Sequence, residues 1–210
     1  MRCAIAPGGG TRKPGPPELG RRGPRFGAWL SLPVLALVAG GCDSIGSLFE
    51  DEAPPPCPHI AVVPDASTIT KFRAGPGRDI IDILYEGNIA DVIVTRCEEE
   101  SRGPGGAEVT VDLSVWIEAR RGPADRDHAA EFEYFVAVAQ FVPRPEGRAE
   151  FKVRVPFEGN RTRVVAADEP VTVKIPLARD TSATEYEIVV GFRLSAEELE
   201  YNRRRRESGL

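Results

Sequence analysis

The sequence predicts an all-β body of two packed antiparallel sheets, closed by one short C-terminal helix. Three observations lead there. Apolar residues recur at every second position through most of the chain after residue 58, turn residues separate those runs, and a single capped helical segment follows the last of them. With 210 residues, 41% of them apolar and 28% charged, the chain has room for one ordinary domain with a real core.

The first 41 residues read differently from the rest. Arg21, Arg22 and Arg25 precede a stretch from Phe26 to Gly41 without a charge, 16 residues long and rich in Leu and Val. A spanning helix needs about 20 apolar residues; this run is shorter, carries Pro33 and ends in Ala39-Gly40-Gly41. A basic region, a brief apolar core and a small-residue exit make residues 1–41 a signal peptide. The Gly- and Pro-rich residues before Arg21 do not suit a compact leader and fit a start codon placed too early, which would leave Cys3 without a role.

Val38-Ala39-Gly40-Gly41-Cys42 resembles the bacterial lipobox, in which a small residue precedes a cysteine that receives diacylglycerol before cleavage. Ala39 stands where leucine is more usual. The resemblance implies a mature chain beginning at a lipidated Cys42, with thioether-linked acyl chains and an N-acyl (palmitate-type) chain, a multi-chain and therefore durable anchor. It also implies the periplasmic side of the envelope; in enteric bacteria Asp43 would favour the inner membrane, and which membrane holds the chain stays open. A simple secretory signal is the alternative.

Residues 42–58 form a tether. Ser, Gly, acids and Pro54-Pro55-Pro56 suit neither a helix nor a central strand and favour an extended polyproline spacer. Cys57 lies at its end and Cys97 follows 40 residues on; an even pair in an exported chain predicts one disulfide.

The body is expected over 59–194. Short strands are predicted at His59–Val63 and Thr68–Phe72. Two more, Ile80–Tyr85 and Ile89–Arg96, would be joined by a turn through Glu86-Gly87-Asn88. The clearest period-two run is Glu108–Glu118, with Val109, Val111, Leu113, Val115 and Ile117 on one face and Trp116 on the other. Phe132–Phe141, Phe151–Val155, Arg163–Ala166, Val171–Leu177 and Tyr186–Leu194 complete the set. Of these ten candidates eight or nine are expected to form strands, and without intervening helical periods they suit an immunoglobulin-like antiparallel β-sandwich, with a small barrel as the alternative. No Trp lies between Cys57 and Cys97, so the bridge is not the inter-sheet pair of antibody domains.

Residues 195–210 carry the helix and a basic tail. Ser195 caps it, Glu198 returns the capping bond, Leu194 can staple Leu199, and acids then arginines follow the helix dipole over 196–206. Arg203, Arg204, Arg205 and Arg206 are candidates for contact with an anionic surface or acidic partner, with solvation as the plainer reading; Trp116 is a candidate for an interface, and cover by this helix or by a loop is the equal alternative.

Chemistry is sparse. The two histidines are His59 and His128, and the chain has no HExxH, paired CxxC, GxSxG or phosphate-cradling glycine loop. Asp125-Arg126-Asp127-His128 has ligand-type residues but reads as a solvated turn. Asp79 and Asp82 make a poor catalytic pair. Asp91 would share a buried side if Ile89 and Ile93 face inward; with Ala90, Val92 and Val94 as the core set, the simpler reading, it is exposed. No catalytic residue, metal site or cofactor is predicted.

Charge excludes one class of partner. Removing six basic residues and one acid in 1–41 from totals of 27 and 32 leaves 21 and 31, a net charge of −10 from Cys42 onward. Such a domain is ill suited to nucleic acid. The expected function is a non-enzymatic, membrane-anchored lipoprotein presenting its sandwich to an envelope protein. The alternatives are a small-ligand or carbohydrate-binding lipoprotein, and an enzyme whose site gathers residues distant in sequence. The body, with its closing Leu-Ser-Ala-Glu-Glu-Leu-Glu-Tyr-Asn-Arg segment, resembles proteobacterial envelope lipoproteins, and that resemblance implies no particular activity.

Overall fold

The structure, a computed structural model, describes residues 3–7, 56–103 and 106–209. Cys42, the apolar run and most of the tether lie outside the described residues.

The period-two run predicts the central element. Strand β5 (Ala107–Arg121) buries Val109, Val111, Leu113, Val115, Ile117 and Ala119 and turns Asp112, Ser114, Trp116 and Glu118 away from them. Burying a Val, Leu or Ile side chain is worth about 1.5–3 kcal/mol, so this stripe is a principal source of stability.

Around β5 the described chain builds two sheets from β1 (Ala4–Pro7), β2 (His59–Val62), β3 (Thr68–Phe72), β4 (Ile83–Ser101), β6 (Ala129–Val138), β7 (Arg148–Pro156), β8 (Arg163–Ala167), β9 (Val171–Leu177) and β10 (Glu187–Phe192). The larger sheet runs β1-β9-β5-β4-β3, with β8 pairing the far half of the β5 edge that β9 pairs at its near half. The smaller runs β2-β10-β6-β7. Phe132, Tyr134, Val136 and Val138 of β6, with Ile188, Val190 and Phe192 of β10, meet the β5 stripe in a shared core. All pairings are antiparallel except β2–β10, which is parallel, so the expectation of wholly antiparallel sheets is corrected at that edge.

A second correction concerns β4. In place of two strands and a turn, the chain makes one strand of 19 residues preceded by a 3-10 turn at Ile80–Asp82. Gly87 is a strand residue here, because the Phe132 ring fills the space a side chain would need: a Cβ on Gly87 would lie 2.5 Å from Phe132 Cε1. Register shifts between Ile89 and Asp91 and between Val94 and Arg96 break the two-residue period. They let both Ile89 and Val92 pack inward, leaving Asp91 exposed and Val94 40% exposed. The expected core set of Ala90, Val92 and Val94 is therefore replaced by Ile89 and Val92.

Strand β1 was not expected. It adds antiparallel to β9, with Ala4 opposite Lys174 and Ile5 opposite Val173, and Cys3 beside it is 4% exposed within the core. Burial pushes the Cys3 thiol up to about 11.

Registers give the domain two ends. At one end the described chain resumes at Pro56–Pro58, and Cys57 is bridged to Cys97, which pairs with Val111. His59 sits opposite Glu187, and the segment linking β4 to β5 lies at this end with the start of β10. The opposite end gathers the loops 73–82, 122–128 and 157–162 and the start of helix α1 (Ala196–Glu207).

Candidate functional site

Two features that can meet a ligand or partner, an exposed apolar pair and a groove, lie at the end opposite the Cys57–Cys97 bridge. Loop 73–82 is held at two points. Arg78 reaches Glu197 of α1 at 2.6 Å and donates to its own loop carbonyls of Gly75 and Gly77. Asp82, 3% exposed, pairs with Arg73, whose backbone N–H donates to the Asp82 carbonyl at 2.9 Å. Between these anchors Ile80 and Ile81 project outward, 77% and 67% exposed. Two adjacent isoleucines held in water forgo about 1.5–3 kcal/mol each of burial, and the loop's anchors account for why they stay there.

Beside this loop lies a groove of about 720 Å3 lined by Lys71, Tyr85, Phe132, Glu133, Lys152 and Arg193, among others. Tyr85 and Phe132 meet edge to face with centroids 5.3 Å apart, and Tyr85 Oη donates to the Glu131 carbonyl at 2.8 Å. Glu133 accepts from Lys152 and Arg193, both at 2.8 Å, and these bonds hold its carboxyl below the usual range. Burial raises Glu198, but Lys71 at 2.6 Å and the capping bonds from Ser195 outweigh it and leave its carboxyl lowered. The groove thus offers fixed charges of both signs over an aromatic floor.

Trp116 stands half-buried on the outer face of the larger sheet. Directly opposite pairs share a face, so Asp91 and Ala167 flank it, while Ile93 and Val165, opposite Ser114 and Glu118, extend the same face at 40% and 49% exposure. Trp116 therefore stands on a mixed outer face, where Ile93 and Val165 alternate with Asp91, Ser114 and the ion-paired Glu118.

The four arginines form ion pairs within the chain. Arg203 and Arg206 both pair with Asp65, Arg205 with Glu86 and Arg204 with Glu200. Three of them join the helix to the body. The contact that fixes its seat is Asn202, 4% exposed, whose Nδ2 donates to the carbonyls of Asp65 and Thr68 at 3.0 and 2.7 Å. Tyr201 packs edge-on to Phe72 at 5.4 Å. Sequence reasoning missed Asn202, Ile80, Ile81 and the groove. The polar position within the helix was the available signal for the first.

The loop at Asp125 exposes Arg126, Asp127 and His128, as a solvated turn would, and departs from that reading only at Asp125. Asp125 is 7% exposed, takes a 2.7 Å bond from Arg121 Nε and accepts from the Asp127 N–H, while Arg121 Nη2 lies 3.0 Å from His128 Nε2. Among the described residues no group of three or more His, Cys, Asp or Glu side chains could hold a metal ion. His59 and His128 lie at opposite ends of the body and do not converge. Among the described residues no helix is long and apolar enough to cross a membrane. No protein-family model, curated protein or solved structure matches the chain.

Proposed function

We propose that the chain is a non-enzymatic lipoprotein, lipidated at Cys42 and held on the periplasmic side of the envelope, whose immunoglobulin-like sandwich presents its far end to an envelope protein. The observation that carries the reading is the polarity of the body. The tether enters beside the Cys57–Cys97 bridge, and the exposed Ile80–Ile81 pair lies on an anchored loop at the other end. A pinned tether lifts the body by one end and turns the other away from the lipid. A small apolar pair framed by charges is the usual core-and-rim pattern of a protein contact.

A photo-crosslinking residue placed at Ile81 tests this in native membranes. One discrete adduct from Ile81, missing when the residue sits instead at Glu99 and when Cys42→Ser prevents lipidation, is the expected result. Equal labelling at both positions, or no adduct at either, refutes it.

The groove supports a second reading. Its volume falls within the range of small-ligand sites, and the Tyr85–Phe132 floor with paired cations suits a sugar or a small acid. Ligand binding there would protect Lys152 from acylation without involving Ile81.

A further inference from the structure

Strand β1 occupies a slot that has two walls. On one side is the edge of β9; on the other are β7 and the 3-10 turn at Pro145–Gly147. Cys3 and Ile5 point inward to the core, and Ala4 and Ala6 point out at the surface. Behind this strand Val173 and Ile175 are fully buried. Without it, β9 would present a row of unpaired backbone groups and an uncovered margin of the core, the condition that invites pairing with another chain.

Cleavage before Cys42 removes this strand. From that conjunction we infer that the β9 edge is a strand-acceptor site in the anchored protein, filled by an extended segment of an envelope protein partner. The inference rests on the lipoprotein reading and adds to it a second contact, near the tethered end of the body. The leader's own segment defines what the site takes. An antiparallel strand fits, with a small residue followed two positions on by a branched aliphatic one facing inward, small residues facing out, and Pro tolerated where the pairing ends at Val171. Main-chain bonds supply affinity in such a site, and the inward pockets supply selectivity.

Register-specific trapping tests it on the chain purified from membranes in detergent. Lys174→Cys puts one free thiol on β9, since Cys57 and Cys97 are bridged and Cys42 is in thioether linkage in the lipidated form. The probe is a peptide of residues 2–9 carrying Cys3→Ala and Ala4→Cys, offered in a glutathione redox buffer. A peptide carrying Cys3→Ala and Ala6→Cys is the mismatched control, because Ala4 faces Lys174 whereas Ala6 faces Thr172. Two residues of slip move the thiol by about 7 Å along the strand, beyond the Cα separation a disulfide accepts.

The expected result is capture of the matched peptide, loss of capture with the mismatched one, and loss again when the matched peptide carries Ile5→Asp. A Lys174→Cys chain that also carries Cys42→Ser keeps its leader strand and is expected to capture neither. Three results would overturn the proposal. Equal capture of both peptides, or of none, by a chain that begins at Cys42 removes the acceptor site and leaves the lipoprotein reading standing. Equal capture by the chain that keeps its leader removes β1 as the natural occupant of the slot. A membrane-derived chain that still carries residues 1–41 overturns the lipoprotein reading, and the vacated slot with it.

Discussion

Asn202 Nδ2 bridges the terminal helix to the carbonyls of Asp65 and Thr68, and the Thr68 bond, at 2.7 Å, is the shorter of the two. A buried amide that satisfies two carbonyls from an otherwise polar helix does more to fix the helix than the exposed ion pairs around it. Replacing Asn202 with Ala leaves both carbonyls without that donor and should cost about 1–3 kcal/mol. Arg204→Ala, which loses only the exposed pair with Glu200, should stay within about 0.5 kcal/mol. Urea midpoints of the two variants check the contrast.

Gly87 and Phe132 make a second testable pair. Because a Cβ at 87 would overlap the ring, Gly87→Ala should destabilise by about 1–3 kcal/mol through overpacking. Phe132→Leu in the same chain should relieve part of that overlap, so the double variant should be more stable than the two single costs added together. Thermal melts of the four proteins measure the coupling.

The bridge between Cys57 and Cys97 closes a 40-residue separation and ties the segment just before β2 to β4. Its removal in a Cys57→Ser, Cys97→Ser chain should cost about 2–5 kcal/mol. Denaturant unfolding under matched conditions reads the difference, and an unchanged midpoint would contradict it.

Acidification should act on the helix start in a defined direction. Glu198 is held below its ordinary value of 4.5 in the folded chain, by Lys71 and Ser195 against the opposing effect of burial. A depressed carboxylate contributes stability above the unfolded value and loses it as pH falls through the lower folded one. Wild type should therefore exceed Glu198→Gln in Tm by a constant margin near neutrality, and that margin should shrink only below about pH 4.5. A margin that instead grows on acidification would contradict the Lys71–Glu198 pairing.

Much of the fold was legible because strict alternation survives where one face is dry and the other wet. Thr68–Phe72, Val171–Leu177 and the helix beginning after Ser195 agree with their expected bounds, and both capping-box bonds between Ser195 and Glu198 form. Strand β4 was less legible because two bulges shift its parity and Gly87 resembles a turn residue until Phe132 is seen to need the space. The Ile80–Ile81 pair read as the start of a strand, since an apolar dipeptide carries no mark of the distant Glu197 contact that anchors its loop. Trp116 was placed correctly on the outer face by period alone, whereas its neighbours Ile93 and Val165 come to it only through pairing across β5. The partners of the basic tail were hidden from the sequence for the same reason. Asp65 and Glu86 lie more than a hundred residues away in sequence, and their pairing with Arg203, Arg205 and Arg206 is a product of the fold.

The mass of the intact protein extracted from its native membrane decides whether the functional chain begins at a lipidated Cys42, as proposed. The expected species has a terminus at Cys42 carrying diacylglycerol and an N-acyl chain, with no peptide from residues 1–41. An unmodified chain that retains the Cys3–Pro7 strand would contradict the proposal.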